Sequence, residues 1–301
     1  MNTAVTLNLW PQILTAHGKI VQSLPSTTRQ AMMSLVESLG VEPRHLFHLI
    51  YIVENFDPKM LSTAVYQRRD PFDHRDVVDS FWAACLETGL LQNHDERMQI
   101  TEKAASAWRQ RWHFLNEALA DLALLPESKL VKINELLASV VAETAIYAET
   151  SSAWAFTTRR QLGLKPPVDA LAPLAQFIEL RMDLGAFRDD AHLAAWRIQH
   201  DVSPHAWEIL GMIWSQQVAT EDRLVEDLAR RGFSQRETAV ALKNLQKLGW
   251  VAQNVTEYSL TEEGQTIRET AEQKTNEIFY QPWSVLSTSE LDVLQRHLSE
   301  F

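Results

Sequence analysis

The densest polar run in the chain lies between Arg181 and His192, within I-E-L-R-M-D-L-G-A-F-R-D-D-A-H. Carboxylates and an imidazole this close together suit a divalent cation, because oxygen and nitrogen ligands hold Mg²⁺, Mn²⁺ or Zn²⁺. The spacing works against that chemistry. Asp189 and His192 stand three apart and share a helix face, but Asp190 turns away from them, and no His-x-x-x-His or Glu-x-x-His pattern supplies further ligands. Arg188 beside the acids, with Arg181 and Asp183 one turn back, favours internal ion pairs or a hydrogen-bonded junction. Gly-rich phosphate loops, Gly-x-Ser-x-Gly and Walker patterns are absent from the sequence. No catalytic, cofactor-binding or metal-ligating residues are therefore assigned, and an enzyme built on Asp189, Asp190 and His192 ranks third among the readings.

A second cluster has a different chemistry. Arg230, Arg231, Arg236, Lys243 and Lys247 fall within eighteen residues, and cations at helical spacing either meet phosphates or form a solvated helix face. The stretch that positions them is S-Q-R-E-T-A-V-A-L-K-N-L-Q-K-L-G-W-V. Ser234 and Glu237 make a capping box, so a helix starts at Gln235. Leu242, Leu245 and Leu248 take one side of it, and Gln235, Arg236, Lys243 and Gln246 turn toward the other. Gly249 ends it, because a residue without Cβ adopts the left-handed C′ conformation cheaply. Trp250-Val251 and Tyr258–Leu260 read as short strands around the polar tip Gln253–Glu257. Upstream, His205–Gln217 and Glu221–Arg230 supply two more amphipathic helices. Helix, helix, helix, hairpin, helix is the order of a winged helix-turn-helix.

The order occurs twice. Gly89 sits 160 positions before Gly249, and the same shift aligns Leu90-Leu91 with Trp250-Val251 and Ile100-Thr101-Glu102 with Leu260-Thr261-Glu262. With one residue of slippage the match runs back through Phe72 over Phe233 to Pro43 over Pro204. The first copy starts near Pro43, with a helix at His45–Asn55, another at Pro58–Arg68 and His74–Thr88 as the recognition-helix equivalent. Asp73, His74, Arg75, Asp76 and Asp79 crowd the early face of that helix, so this copy is expected to be degenerate and structural rather than a reader of bases. Between the copies, Glu102–Leu125, a long run Lys129–Leu162 ended by Gly163, the stiff break Lys165-Pro166-Pro167 and Leu171–Trp196 form a helical platform. Its aromatic residues Tyr147, Trp154, Phe156, Phe177 and Phe187 read as core first and as the wall of a ligand cavity second.

The expected fold is mainly α, with two winged helix-turn-helix units joined by a long helical middle. The segments are 1–110, 111–200 and 201–301. A formal net charge of −11 opposes phosphate binding globally, and residues 201–301 carry nine Lys plus Arg against sixteen Asp plus Glu. No apolar run approaches the roughly 20 residues a bilayer span requires, and the N-terminus lacks a basic stretch ahead of an apolar one, so the chain is expected in the cytoplasm. The lone Cys85 reads as a small core residue.

The run A-F-R-D-D-A-H-L-A-A-W-R, then Pro204-His205-Ala206-Trp207-Glu208 opening a helix with Ile213-Trp214, then L-T-E-E-G and the tail I-F-Y-Q-P-W-S-V-L-S-T-S-E-L resemble the SalK-type family of bacterial helix-turn-helix proteins. The closing helices, Gly264–Tyr280 and Ser289–Leu298, are also similar to those of MarR-type regulators, which dimerise through terminal helices. The resemblance implies transcription regulation. It makes DNA, through Gln235, Arg236 and Thr238 at base edges and Lys243 and Lys247 at phosphates, the leading partner, with a small-molecule effector in the helical middle and a homodimer as candidates. The alternative is a non-enzymatic scaffold that keeps winged-helix architecture for ligands or proteins and binds no DNA.

Overall fold

Apolar side chains recurring every three and four residues make most of this chain helical. The computed structural model describes residues 8–42, 49, 52–57, 59, 61–95, 97–150, 153–160, 168–197, 202–216 and 218–301. The expected start of the first copy at Pro43, most of the helix at His45–Asn55 and the Lys165-Pro166-Pro167 break lie outside them. In chain order the elements are α1 (Leu9–Ser23), α2 (Ser26–Leu39), α3 (Thr63–Arg69), α4 (Arg75–Glu87), β1 (Leu91–His94), β2 (Arg97–Ile100), α5 (Glu102–Ala120), α6 (Glu127–Thr150), α7 (Trp154–Arg160), α8 (Pro173–Arg197), α9 (Pro204–Gln216), β3 (Val218–Thr220), α10 (Glu221–Asp227), α11 (Gln235–Lys247), β4 (Val251–Asn254), β5 (Glu257–Leu260), α12 (Glu262–Phe279) and α13 (Thr288–Ser299). The fold is mainly α with two small antiparallel β hairpins.

The sequence divides by motif near residues 110 and 200, but contacts gather it differently. One unit comprises Met1–Leu61, Ala84–Asp190 and Glu277–Phe301, and the other Ser62–Ala83 and Ala191–Asn276. In the first, α13 lays Leu291, Leu294 and Leu298 against α1 and α6. Phe156, Phe177 and Phe187 are buried. They pack on other rings, Phe187 with Phe156 at 5.9 Å and with Tyr147 at 5.8 Å, so the aromatic stripe is core. The single helix expected over Lys129–Leu162 ends at Thr150 and restarts at Trp154. The cause sits far away in sequence: the Asp190 carboxylate accepts from the amides of Ala155 and Phe156, both at 2.9 Å, and caps α7. Arg159, on α7, is fully buried between Glu179 (2.6 Å) and Asp183 (2.8 Å) and donates to the Glu54 carbonyl at 2.8 Å.

Both hairpins form, and their hydrogen bonds repeat at the 160-residue shift. Gly89 and Gly249 have φ of 68° and 78°. Leu90 N donates to Cys85 O at 2.9 Å, and Trp250 N to Leu245 O at 3.0 Å. Thr101 Oγ1 donates to Gly89 O at 2.8 Å, and Thr261 Oγ1 to Gly249 O at 2.6 Å. Leu91 pairs with Ile100 as Val251 pairs with Leu260. The sequence reading lacked a third strand: β3 pairs with β5, placing Ala219 opposite Tyr258, and its counterpart in the first copy is the lone bridge of Leu61 to Met98.

The copies differ where α5 and α12 begin. A Cβ on Gly264 would stand 2.0 Å from the Trp250 carbonyl oxygen, whereas the equivalent Ala104 is accommodated, its amide 3.5 Å from Thr101 Oγ1 against 3.1 Å for Gly264. Gly264→Ala is therefore expected to destabilise the protein by about 2 kcal/mol or more, and Ala104→Gly by only about 1 kcal/mol; urea unfolding followed by circular dichroism measures both.

Candidate nucleic-acid interface

The start of α11 is fixed by its cap. Glu237 N donates to Ser234 Oγ at 3.3 Å, and the Glu237 carboxylate accepts from Ser234 N at 2.8 Å. The Ser234 hydroxyl and amide together hold that carboxyl below its ordinary range. From this start the helical phase carries Thr238, Ala241, Leu242 and Leu245 inward, where the last three join Leu210, Ile213 and Leu224 in one core. Thr238, expected at the groove, is 1% exposed with Oγ1 3.3 Å from His205 Nε2, and so belongs to the core instead. Gln235 is at the surface and its Nε2 lies 3.3 Å from Glu221 Oε1.

The outer face carries Arg236, Val240, Lys243, Asn244 and Lys247, a spacing of four, three, one and three that lies on one side of a helix. Among the described residues, Arg236, Lys243 and Lys247 have neither a carboxylate nor a carbonyl partner. Val240 is 52% exposed between them. The sequence reading did not name Val240 or Asn244 as surface positions, although their spacing from Arg236 held the signal. Beside this face, Gln246 Nε2 lies 3.3 Å from Gln253 Oε1 on the hairpin, whose tip residue Val255 is 88% exposed at φ 56°. The same face of α4 presents Asp76, Ser80, Ala83 and Glu87 at the positions of Arg236, Val240, Lys243 and Lys247.

Arg231, counted in the basic cluster, has another role. It is 8% exposed. Its guanidinium lies 3.2 Å from Asp70, 2.8 Å from Asp73 and 3.0 Å from Glu208. Burial opposes the charge, but Asp70 and Glu208 together with the Asp73 bond outweigh it and raise its pKa. Burial also lifts the carboxyls of Asp70 and Glu208 above the usual range. Around this cluster the loop before α4 docks on the turn before α11. His74 N donates to Arg231 O at 2.8 Å, His74 Nε2 lies 3.3 Å from Glu237 Oε1, and Phe233 stacks on His205 at 3.7 Å. A Cβ on Gly232, at φ 80°, would come within 2.1 Å of Val77 Cγ2.

The residues of the acidic run diverge. Asp183 pairs with Arg159 and Arg160, Asp190 caps α7, Arg188 lies over the Phe279 ring at 5.2 Å, and His192 Nε2 accepts from Trp207 Nε1 at 3.4 Å. Asp189 acts on Arg181, whose charge it favours against burial. Among the described residues no three His, Cys, Asp or Glu side chains are grouped to hold a metal ion, and no helix is long and apolar enough to cross a membrane.

A helix-turn-helix family model matches residues 90–301. The chain belongs to that family. The match begins at the first hairpin, leaves α3 and α4 outside and covers α9 to α11 whole. No curated protein matches the chain, and no solved structure does.

Removing the Arg231 charge strands three acids, and Arg231→Met is expected to lower stability by about 3–5 kcal/mol in urea titrations. A second expectation concerns pH. Burial depresses His205 from 6.5 to about 4, with Glu237 partly opposing and His74 assisting. Protonation therefore favours the unfolded chain, so the contribution is intact above pH 6.5 and is lost as pH falls toward 4. His17 shifts the same way through burial and Arg181, so the readout is a difference: His205→Phe should shrink the loss of stability over this window by about 2 kcal/mol relative to wild type.

Proposed function

We propose that this helix-turn-helix protein is a regulator of transcription that meets duplex DNA with the outer face of α11. The carrying observation is the stripe Arg236, Lys243 and Lys247, exposed, at helical spacing and unpaired in a chain of net charge −11. Cations left unpaired amid excess acid are disposed to take phosphates, since counterion release supplies the affinity. Gln235 and Arg236 in the first turn are the base-reading candidates, and Lys243 and Lys247 the phosphate contacts. The SalK-type resemblance of Leu180–Leu298 and the MarR-like closing helices agree with regulation. A homodimer through α13 is less favoured, because the apolar face of α13 is already covered within its own unit.

One observation favours the scaffold reading. The loop before α4 and the first turn of α4 bring His74 and the exposed Asp76 to the turn ahead of α11, and that carboxylate repels phosphates approaching Arg236. The two readings separate in a salt series on the purified protein with mixed genomic fragments. DNA binding through the stripe is expected to show a slope of log affinity against log salt of about −2, from two neutralised phosphates, so a fourfold rise in salt weakens binding roughly twelvefold. Arg236→Ala should weaken a selected sequence by about 1–3 kcal/mol if it reads guanine. Equal, negligible retention of DNA at low salt by wild type and by the Arg236→Ala, Lys243→Ala double mutant would leave the scaffold reading in its place.

A further inference from the structure

The helices α2 and α5 face each other through complementary stripes, Met32, Leu35, Val36 and Leu39 on one and Ala104, Ala107, Trp108 and Arg111 on the other. Both run i, i+3, i+4, i+7, the spacing at which two helices pack. The two helices pack on each other. With Met33, Leu49 and Val53 they surround a cavity of about 240 Å³ that opens to solvent. An engineered cavity of roughly 150 Å³ suffices for benzene, so this one has room for a chain of about eight to ten carbons.

The second copy carries different residues at two of these positions. At the 160-residue shift, Ala107 corresponds to Ile267 and Arg111 to Ala271. Ile267 packs on the core of its unit and Ala271 is fully buried in it. The first copy thus carries a methyl where the second carries a full aliphatic side chain, and a guanidinium where the second carries a methyl. Packed interiors do not leave openings of this volume by default.

Among the described residues the polar side chains in the wall are Arg111 and Trp108. Arg111 lies with its guanidinium 4.5 Å over the Trp108 ring and reaches the Glu54 carboxylate only through Nη1, at 3.4 Å. Trp108 is 4% exposed and its Nε1 is buried away from solvent, so its contribution to the wall is apolar. An arginine cannot accept a hydrogen bond, so Arg111 suits a ligand that brings the acceptor. The remaining lining is aliphatic and, at Met32 and Met33, pliable. We propose that this cavity binds a saturated medium-chain monocarboxylic acid, its chain between α2 and α5 and its carboxylate at Arg111, with Glu54 the opposing charge that the acid displaces from one edge of the guanidinium.

The proposal is independent of DNA binding and is tested on the full-length protein alone by titration calorimetry with hexanoate, octanoate and decanoate below their micelle-forming concentrations. Saturable one-to-one binding is expected, tightening about fourfold per added methylene while the chain is being buried, with 1-decanol at least tenfold weaker than decanoate. Ala107→Ile, which installs the residue of the second copy, should abolish binding with the melting temperature unchanged or raised, and Arg111→Gln should reduce decanoate to the level of decanol. Absence of saturation in wild type, affinity independent of chain length, or undiminished decanoate binding by Ala107→Ile overturns the site. Decanol binding as tightly as decanoate overturns the assignment of the carboxylate to Arg111.

Discussion

Each winged copy depends on one arrangement at the end of its third helix. A glycine turns the chain through a left-handed conformation, and a threonine twelve residues later donates its hydroxyl back to that glycine's carbonyl, at 2.8 Å from Thr101 to Gly89 and 2.6 Å from Thr261 to Gly249. The same threonines cap the helices that follow, accepting from Ala104 N and Gly264 N. One hydroxyl thus joins a helix end, a hairpin and a helix start. Because the hairpin is anchored at both ends, the register of β4 with β5 follows, and with it the place of the wing beside α11. The arrangement tolerates different side chains around it, which is why charge could change sign on the outer face of one copy while the backbone stayed the same.

Local rules made that arrangement legible. Capping spacing gave the start of α11 at Ser234, the left-handed glycine gave its end at Gly249, and the repeat of Gly and Thr-Glu gave both hairpins. Legibility failed where a distant group decides. Nothing near residue 152 says that the helix stops, since the carboxylate that restarts it belongs to Asp190. The third strand escaped because three residues beside a helix cap hold no period to read. At the candidate interface the same division holds. Arg236, Lys243 and Lys247 follow from helical phase, but Thr238 was placed by its polarity when phase sent it to the core, and Arg231 was placed by its charge when Asp70, Asp73 and Glu208 had already engaged it. A hydroxyl facing a buried imidazole and an arginine among three acids are tertiary outcomes, and neither has a local sequence signature.

Charge is the axis along which the two copies separate. Position for position, Arg236, Lys243 and Lys247 stand where the first copy has Asp76, Ala83 and Glu87. An acidic face cannot approach phosphate, so the first copy is released from the constraint of reading a groove and its helices are free to serve other contacts. That release is visible in the loop before α4: Asp73 and Asp70 neutralise Arg231, and the His74 amide satisfies the Arg231 carbonyl at 2.8 Å. A buried arginine with several carboxylate partners contributes little net stability compared with apolar packing, but it is costly to break. Its effect is to fix one geometry for the turn that precedes α11.

The same divergence reaches the helix that follows each wing. In the second copy Ile267 and Ala271 face the core, and Arg268 lies over Trp207 at 4.7 Å and Trp214 at 5.3 Å, closing that face with aromatic and aliphatic contacts. In the first copy the corresponding Trp108 and Arg111 stack on each other at 4.5 Å, and Ala107 leaves open the space beside them. Both copies set a guanidinium against an indole on this face, but in the second copy the indoles belong to α9, whereas in the first both groups lie on α5. The second copy has Arg268 one residue after Ile267; in the first that place is Trp108, and the cation stands one turn further on as Arg111, in the wall of the cavity that α5 and α2 line. Three substitutions in a duplicated helix, at positions 107, 108 and 111, separate the two arrangements, while the glycine and threonine bonds are kept in both.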